Sequence, residues 1–463
     1  MTFKAALLPL ALQLLASSAA LASPAALYPP NLHWRRQDTN ATSSAATTTP
    51  GFANNGTIGS YPCIYASQDV ESQLIFGADS TVPGTSCPEA QAPVYPFNTI
   101  ELRAPDDSMR ATVLPYGAVV SELWVKDRYG GWRDIVLGYD NKTNYGTDPI
   151  HPNFSPVVGR YANRIKNGTF ELDGQTYNVP KNENGLDSLH GGDIGYDRSN
   201  FTITSLSANE IVLQHVDPDG FQGFPGEVTT LTRYTLDSNA TWHIEMNATA
   251  DKKTPILLSS HVYWNLAAFN ETNSTLDYVL HMPYADQYVE TDTILIPTGP
   301  LPSVNSTPYD FQSATPFSKN FDNTTGVCGF NCTGWDSCWI MSNPPGYDTQ
   351  KPVLEMYSPQ SGIKMSVASN QAAIQIYTCP GVNNKAKGSI PRKLAHGGKT
   401  GSQISDVVYD NYECVVVEME DYIDGINNPD WGRQDAQIFG PDKPYYWKST
   451  YTFSNVDENG QAL

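Results

Sequence analysis

Hydrophobic and polar residues alternate along short segments from about residue 97 onward, with turn-forming residues between them. Phe170-Glu171-Leu172 and Gln175-Thr176-Tyr177 flank Asp173-Gly174, a strong hairpin signal because both turn positions tolerate positive φ. Such alternation predicts strands that each bury one face. Three further pairs of segments flank short polar turns: 201–206 with 211–216, 228–236 with 240–248, and 363–368 with 372–378.

No segment keeps a helical period, and the last candidate strand is Tyr451-Thr452-Phe453. The pattern therefore predicts an all-β fold: one large antiparallel β-sandwich over residues 97–460, without an internal repeat. The Gly-, Lys- and Ser-rich residues 385–405 are predicted to form a long loop between two strands. The length of 463 residues would allow two or three domains, but a large all-β domain can take up most of it.

The N-terminal part of the chain has a different composition. Lys4, an apolar stretch and Ala20-Leu21-Ala22 together predict a secretory signal over residues 1–22. The apolar stretch is too short to span a membrane. Residues 23–96, rich in Ser, Thr, Ala, Pro and Gly, are predicted to be an extension that precedes the sandwich. We therefore expect a soluble, secreted protein.

Seven cysteines and thirteen Asn-x-Ser/Thr motifs suit an oxidising, exported environment. Cys63 is expected to pair with Cys87, and Cys328 with Cys332 or Cys338, while the odd count leaves at least one thiol unpaired. A zinc site at Cys328, Cys332 and Cys338 is an alternative, although no histidine lies nearby. The motifs considered for glycosylation include Asn141, Asn200, Asn247, Asn273 and Asn331.

The overall charge narrows the range of partners. The chain has 28 basic and 48 acidic residues, which gives a formal net charge of −20. Nucleic acids and anionic membranes both require a basic face. We therefore expect neither as a partner; the sequence leaves the oligomeric state open.

Glu418 interrupts the apolar run Val415-Val416-Val417-Glu418-Met419. Because strand side chains alternate, Val415, Val417 and Met419 are expected to face the core, with Glu418 on the opposite face. That face is either a partly buried cleft or an exposed surface with a solvated glutamate.

Two histidines and a basic motif are further candidates. His261 is predicted to share a strand face with Tyr263 and Asn265, a polar and aromatic surface of the kind that binds sugars; the alternative is a hydrogen-bonded core histidine. His190 precedes Gly191-Gly192, which permits close backbone approach or a simple turn. Asn163 and Arg164 could donate hydrogen bonds to hydroxyl groups, although an arginine there could equally belong to a structural ion pair.

Several motifs in a fixed order resemble the aldose 1-epimerase (galactose mutarotase) family. They cover about residues 97–455 and include the segments at 156–165, 189–192, 195–197, 218–226, 261–266, 334–336, 375–378, 418 and 427–429. The resemblance implies the family's large β-sandwich, the galactose mutarotase-like supersandwich, with an active site in an open cleft.

The resemblance also implies residue roles. Glu418 matches the general base that takes a proton from O1 of the sugar, and His261 matches the general acid that protonates the ring oxygen. No metal or organic cofactor is implied, and the partner is a small monosaccharide such as glucose or galactose. The positions that match substrate-binding residues are Asn163, Arg164, His190, Asp336 and Gln375.

Two other functions remain open from the residues. Glu418 and Glu420 lie on one strand face, about 6–7 Å apart, which resembles the carboxylate pair of an inverting glycosidase. A secreted carbohydrate-binding sandwich without catalysis is the second alternative. The pair of histidines has no role in the glycosidase mechanism.

Overall fold

The computed structural model describes residues 94–270, 274–383 and 388–463, and these form short strands joined by turns. The signal and extension predicted for residues 1–96, including Cys63 and Cys87, lie outside the described residues except for the last three positions. The strands are, in chain order, β1 (Ile100–Arg103), β2 (Met109–Val113), β3 (Val120–Lys126), β4 (Trp132–Asp134), β5 (Val157–Val158), β6 (Arg164–Ile165), β7 (Thr169–Leu172), β8 (Gln175–Asn178), β9 (Ser188–Leu189), β10 (Thr202–Leu206), β11 (Glu210–Asp217), β12 (Val228–Asp237), β13 (Thr241–Ala250), β14 (Thr254–Pro255), β15 (Ser259–Ser260), β16 (Tyr263–Trp264), β17 (Val279–His281), β18 (Ala285–Tyr288), β19 (Thr315–Pro316), β20 (Asp336–Met341), β21 (Leu354–Tyr357), β22 (Ile363–Ser369), β23 (Ala373–Tyr377), β24 (Val415–Glu420), β25 (Ile438–Phe439) and β26 (Tyr445–Asn455).

Helices are few and short in the part of the chain that the structure describes. Two α-helices of four residues each, α1 (Asn144–Thr147) and α2 (Gln434–Gln437), lie in connections. Within the described ranges, no helix is long and apolar enough to cross a membrane. The remaining helical turns are three-residue 3-10 helices: Lys166–Gly168, Tyr196–Arg198, Phe221–Gly223, Phe317–Lys319, Phe321–Asn323, Tyr347–Thr349, Leu394–His396, Gly401–Gln403, Gly425–Asn427 and Pro429–Trp431.

Three sheets carry the architecture. The largest has nine strands in the order β10-β11-β12-β13-β26-β22-β21-β17-β19. A second has five strands, β16-β24-β23-β20-β18, and a third has four, β1-β2-β3-β4. One apolar cluster joins all three, with Trp242 and Trp447 from the first sheet, Trp264 and Val417 from the second, and Leu123 from the third. The predicted antiparallel β-sandwich is therefore confirmed.

The hairpin signals mostly identify real hairpins. β7 and β8 pair around Asp173 and Gly174, whose φ angles of 51° and 77° are those the two-residue turn requires. The pairs β10–β11 and β12–β13 are hairpins as well. The segments at 363–368 and 372–378 form β22 and β23, but β22 belongs to the nine-stranded sheet and β23 to the five-stranded one. That turn carries the chain from one layer of the sandwich to the other.

Two disulfides lie in the described part of the chain. Cys328 pairs with Cys332, one of the two partners expected for it, and Cys338 is a free buried thiol. Cys379 pairs with Cys414, a bond that the spacing did not predict. Because β23 and β24 are antiparallel neighbours, this disulfide closes the long connection between them at its base.

That connection is anchored to the sandwich by buried polar groups. The Lys393 ammonium, 1% exposed, donates to Asp134 Oδ2 and to the Ser121 carbonyl oxygen. His396 lies between the Asp134 carbonyl oxygen and the Tyr409 hydroxyl, each 2.8 Å from a ring nitrogen. The predicted long loop therefore exists, and it packs tightly against β3 and β4.

Candidate active site

Glu418 lies in the middle of β24, on the five-stranded sheet. Its strand partner is Gln375 on β23, and the partner of Gln375 on β20 is Cys338, so these side chains form a row on one face. The opposite face of β24 places Val415, Val417 and Met419 in the main core, as predicted. Glu418 is only 2% exposed; the alternative of a solvated surface glutamate is wrong.

His261 reaches the same place from the connection between β15 and β16. Its backbone N–H donates to the Pro156 carbonyl oxygen (3.0 Å), and its own carbonyl oxygen accepts from the Ser155 N–H (3.1 Å). These two bonds fix the ring beside the Tyr263 ring, with centroids 5.1 Å apart. His261 Nε2 lies 3.6 Å from Glu418 Oε1, so the two proposed proton-transfer groups face each other.

His190 completes a three-residue cluster. Its ring meets the His261 ring edge-on, with centroids 5.0 Å apart. One side-chain nitrogen or oxygen from each of His190, His261 and Glu418 lies within 4.8 Å of the others, and all three residues are buried. Residues more than 220 positions apart in the chain therefore converge on one point.

The backbone around His190 determines its tautomer. The Asn163 N–H donates to His190 Nδ1 (3.1 Å), and the His190 N–H donates to the Asn163 carbonyl oxygen (3.0 Å). Nδ1 is thus an acceptor without a proton, and the neutral ring carries its proton on Nε2. Gly191 (φ 93°) makes this turn possible, because a Cβ there would lie 2.1 Å from the Gly159 carbonyl oxygen. Gly191 therefore serves close backbone approach.

A guanidinium group lies next to the cluster. Arg164 donates two bonds to Glu183, from Nε (2.7 Å) and Nη2 (2.8 Å), and Nη2 is also 3.6 Å from Asp336 Oδ2. Asp336 Oδ1 accepts a 2.6 Å bond from Gln375 Nε2. Forked bonds of this kind hold a guanidinium in a fixed plane. The five predicted substrate-binding residues therefore surround the His261–Glu418 pair.

Arg160, from the same motif as Arg164, has a different role. It is 1% exposed, pairs with Asp217 (2.7 Å) and donates to the Pro225 and Gly226 carbonyl oxygens. Arg160 therefore stabilises the fold, whereas Arg164 from the same motif lies beside the candidate site.

Burial controls the charges of the pair. It raises the pKa of Glu418 well above its usual range, and the neighbouring Glu420 carboxyl raises it further. Burial lowers the pKa of His261 to about 4 and that of His190 well below its usual value. Burial would also lower the pKa of Arg164, but Asp336 and Glu183 outweigh it and keep the guanidinium charged. Burial therefore disfavours the charged form of both members of the pair.

Several buried polar atoms in the cluster have no hydrogen-bond partner within the protein. Leaving such an atom unmatched costs about 1–3 kcal/mol, and native proteins rarely tolerate it without a reason. Four such atoms, on the His261–Glu418 pair and the neighbouring residues of β23 and β24, indicate a site for a ligand with several hydroxyl groups. They are His261 Nδ1, Gln375 Oε1, Glu418 Oε2 and Glu420 Oε2.

The same three residues, two histidines and a carboxylate, are the group that could hold a divalent metal ion. Their donor atoms spread over as much as 4.8 Å. Two ligands of one tetrahedral zinc ion lie roughly 3.4 Å apart, given bonds of about 2.1 Å. The side chains would have to close in to bind a metal, and their present spacing suits a small organic molecule better.

Sequence reasoning missed two residues of this environment. Glu183 accepts a hydrogen bond from Arg164, and it lies in a segment that belongs to none of the recognised motifs. The pairing of β6 with β9 brings Glu183 close to Arg164. Glu420 was considered only as half of a glycosidase pair. It is fully buried, and its Oε1 accepts a 3.0 Å bond from Asn163 Nδ2.

Comparison with known proteins agrees with this geometry. A family model described as aldose 1-epimerase matches residues 98–452. A protein of Arthroderma benhamiae named "probable aldose 1-epimerase" is 39% identical over 405 residues, which cover 81% of this chain and 90% of that protein. Galactose mutarotase of Bos taurus is 32% identical over 323 residues, which cover 70% of this chain and 85% of that protein.

A solved structure gives the same result at the level of the fold. The aldose epimerase homologue from C. elegans superposes with a TM-score of 0.65 and 25% identity, and the match covers 78% of this chain and 99% of that one. The family match spans all three main sheets and every residue of the cluster. The chain belongs to the aldose 1-epimerase family.

Proposed function

We propose that this protein is an aldose 1-epimerase, an isomerase that interconverts the α and β anomers of a hexose such as glucose or galactose. One observation carries the proposal. A buried histidine and a buried glutamate face each other at 3.6 Å, surrounded by unmatched polar atoms that sugar hydroxyls would satisfy.

The reaction moves two protons. Ring opening takes one from the O1 hydroxyl and delivers one to the ring oxygen; the C1–C2 bond of the open aldehyde then rotates, and closure on the other face inverts the anomeric centre. In our proposal Glu418 takes the proton from O1 and His261 donates one to the ring oxygen. Each positioned group contributes about 10²–10⁴-fold. No net charge builds up, because the two transfers balance.

The charge state of the pair fits this scheme. Glu418-COOH with neutral His261 and Glu418-COO⁻ with protonated His261 contain the same single proton. Burial disfavours both charges of the second form. Sugar hydroxyls that bond to the carboxylate and stay close to the imidazolium would favour the second, productive form.

The surrounding residues would hold the sugar. The Nε2–H of His190 and the Arg164 guanidinium are donors, and we place them near the ring oxygen. Asp336 and the Gln375 carbonyl oxygen are acceptors for hydroxyl hydrogens, and Asn163 supplies a carboxamide. Donors and acceptors in this mixture match the hydroxyl pattern of a neutral monosaccharide.

Neither alternative function is favoured by the site. In the glycosidase, Glu420 would act directly on substrate or water, yet it is fully buried and bonded to Asn163. A binding module without catalysis would not need two proton-transfer groups in contact. The family relationship points to the isomerase.

Polarimetry on freshly dissolved α-glucose and α-galactose tests the proposal. The wild type should accelerate the approach to the equilibrium rotation, and Glu418→Gln and His261→Asn should each lose at least about 10²-fold in kcat. Lys364→Arg is the matched control, because Lys364 pairs with Glu355 on the nine-stranded sheet, away from the cluster. A wild type that adds nothing to the spontaneous rate would refute the activity for those sugars.

We also propose that the protein is exported and glycosylated. The signal pattern at residues 1–22 supports export, as do the two disulfides of the described chain. The motif asparagines Asn141, Asn200, Asn247 and Asn331 are all exposed, as glycan attachment requires. Expression in a secretory host should yield a product in the medium that begins near Ser23 and loses mass on treatment with an N-glycosidase. A cell-retained product that still contains Lys4 would argue against export.

A further inference from the structure

Glu420 takes no part in the proton transfers proposed above, yet it lies beside them. It follows Glu418 by two positions on β24, so both side chains are on the same sheet face. Its side chain is fully buried, with Oε1 bonded to Asn163 Nδ2 and Oε2 unmatched within the protein. A buried carboxyl group is costly to the fold, which suggests that the site requires it.

The bond to Asn163 connects Glu420 to the predicted sugar-binding residues. Asn163 Oδ1 accepts from Arg164 Nη1 (3.3 Å), and the Asn163 N–H donates to His190 Nδ1 (3.1 Å). Glu420 accepts a hydrogen bond from the carboxamide nitrogen, and Arg164 donates one to the carboxamide oxygen. The carboxamide therefore has one defined orientation. Loss of the Glu420 acceptor would free the Asn163 side chain to rotate.

We propose that Glu420 is a positioning residue for the epimerase reaction, which holds the Asn163 carboxamide toward the sugar and, once ionised, opposes the loss of the last proton of the His261–Glu418 pair. This inference rests on the proposed function, because it assigns a role within that reaction.

Electrostatics supports the second half of the proposal. After burial, the Glu420 carboxyl is the largest influence that raises the pKa of Glu418. Burial raises the pKa of Glu420 itself to about 8. With a pKa of about 8, Glu420 acquires its charge on the alkaline side of neutrality, where a second negative charge on the same buried face opposes ionisation of Glu418. Other charged or titratable groups also interact electrostatically with Glu420. They are Asp336, Asp421, Arg164, Cys338, Tyr161 and Tyr445.

Two substitutions separate the two roles. Glu420→Gln keeps the size and an acceptor for Asn163 but removes the charge, so KM should stay within about twofold of wild type. The alkaline limb of kcat/KM should move to lower pH, because Glu418 loses its like-charged neighbour. Glu420→Leu keeps the bulk but removes the acceptor as well, and should shift the same limb and also raise KM about tenfold.

Asp424→Asn is the matched control. Asp424 is a buried carboxyl whose pKa burial also raises to about 8, and it bonds to Asn427 and to the Lys166 N–H outside the cluster. Its replacement should leave both KM and the alkaline limb at wild-type values. Thermal unfolding of each variant reports its folding, and the near-isosteric Glu420→Gln tests the charge role even if Glu420→Leu does not fold.

The outcomes are distinct. A wild-type alkaline limb in Glu420→Gln, or a wild-type KM in folded Glu420→Leu, would overturn the corresponding half of the inference while leaving the epimerase activity standing. A wild type without mutarotase activity would overturn the proposed function, and this inference with it.

Discussion

At the scale of single residues, surroundings decide what a histidine does. His190 and His396 both begin a His-Gly-Gly tripeptide, and burial lowers the pKa of both well below the usual value. Both nitrogens of His396 are used inside the protein, by Tyr409 and Asp134. His190 uses only Nδ1 in this way and keeps Nε2–H for a ligand. His396 therefore stabilises the fold, whereas the Nε2–H of His190 is the donor that we propose for the sugar.

The pH dependence of kcat/KM follows from the single proton of the His261–Glu418 pair. Below about pH 4, the pKa to which burial lowers His261, the pair takes up a second proton and Glu418 can no longer act as a base. Above the raised pKa of Glu418 the pair loses its last proton, and His261 can no longer act as an acid. We therefore expect a bell-shaped profile.

Polarimetry between pH 3 and 10, corrected for the spontaneous rate at each pH, measures this profile. Glu418→Gln should retain only a small residual rate without the bell. A wild-type profile that stays flat across the whole range would contradict the assignment of these two residues.

At the scale of the element, the sequence predicts one face of a strand better than the other. Alternation identified the core face of β24 correctly, because Val415, Val417 and Met419 needed only a neighbouring sheet to cover them. The second face, with Glu418, is covered by Asn163 and His190, which are more than 220 positions away. No local feature of β24 indicates that this face is covered. The burial of Glu418 can therefore be predicted only from the tertiary structure or from a family resemblance.

The disulfide between β23 and β24 shows the same limit. Spacing along the chain paired Cys328 with a near neighbour, but Cys379 and Cys414 are 35 positions apart and meet only because their strands are adjacent. Sequence gives the number of cysteines, and the fold gives their pairing.

Removal of the Cys379–Cys414 disulfide should cost more stability than removal of Cys328–Cys332. The first closes a loop with a sequence separation of 35 and the second a loop with a separation of 4. Chain entropy of the unfolded state then predicts losses of about 4 and about 2 kcal/mol. Urea unfolding of the two double Cys→Ser variants measures the difference. Equal losses would show that loop closure is not the dominant effect.

At the scale of the whole molecule, the long connection after β23 behaves as part of the sandwich. Its buried Lys393 and His396 meet Asp134 at the end of β4, and its Tyr409 packs against Phe154, next to the Tyr263 ring beside His261. The composition of residues 385–405 predicted a long loop between two strands and did not indicate which of its side chains are buried. Lys393 and His396 anchor this loop through buried hydrogen bonds, and His396 links the stability of the fold to pH.

Protonation of His396 should destabilise the protein as pH falls below about 6.5. Burial lowers its pKa well below the usual value of 6.5, so in this range the unfolded chain takes up a proton that the folded protein does not. The free energy of unfolding then falls by up to about 1.4 kcal/mol per pH unit from this residue. Thermal unfolding between pH 7.5 and 5 should therefore show a shallower loss for His396→Gln than for wild type. His243→Gln is the matched control, because the His243 side chain is 30% exposed and burial lowers its pKa less. A wild-type slope in His396→Gln would mean that other groups, such as the buried His190 and His261, dominate the acid sensitivity.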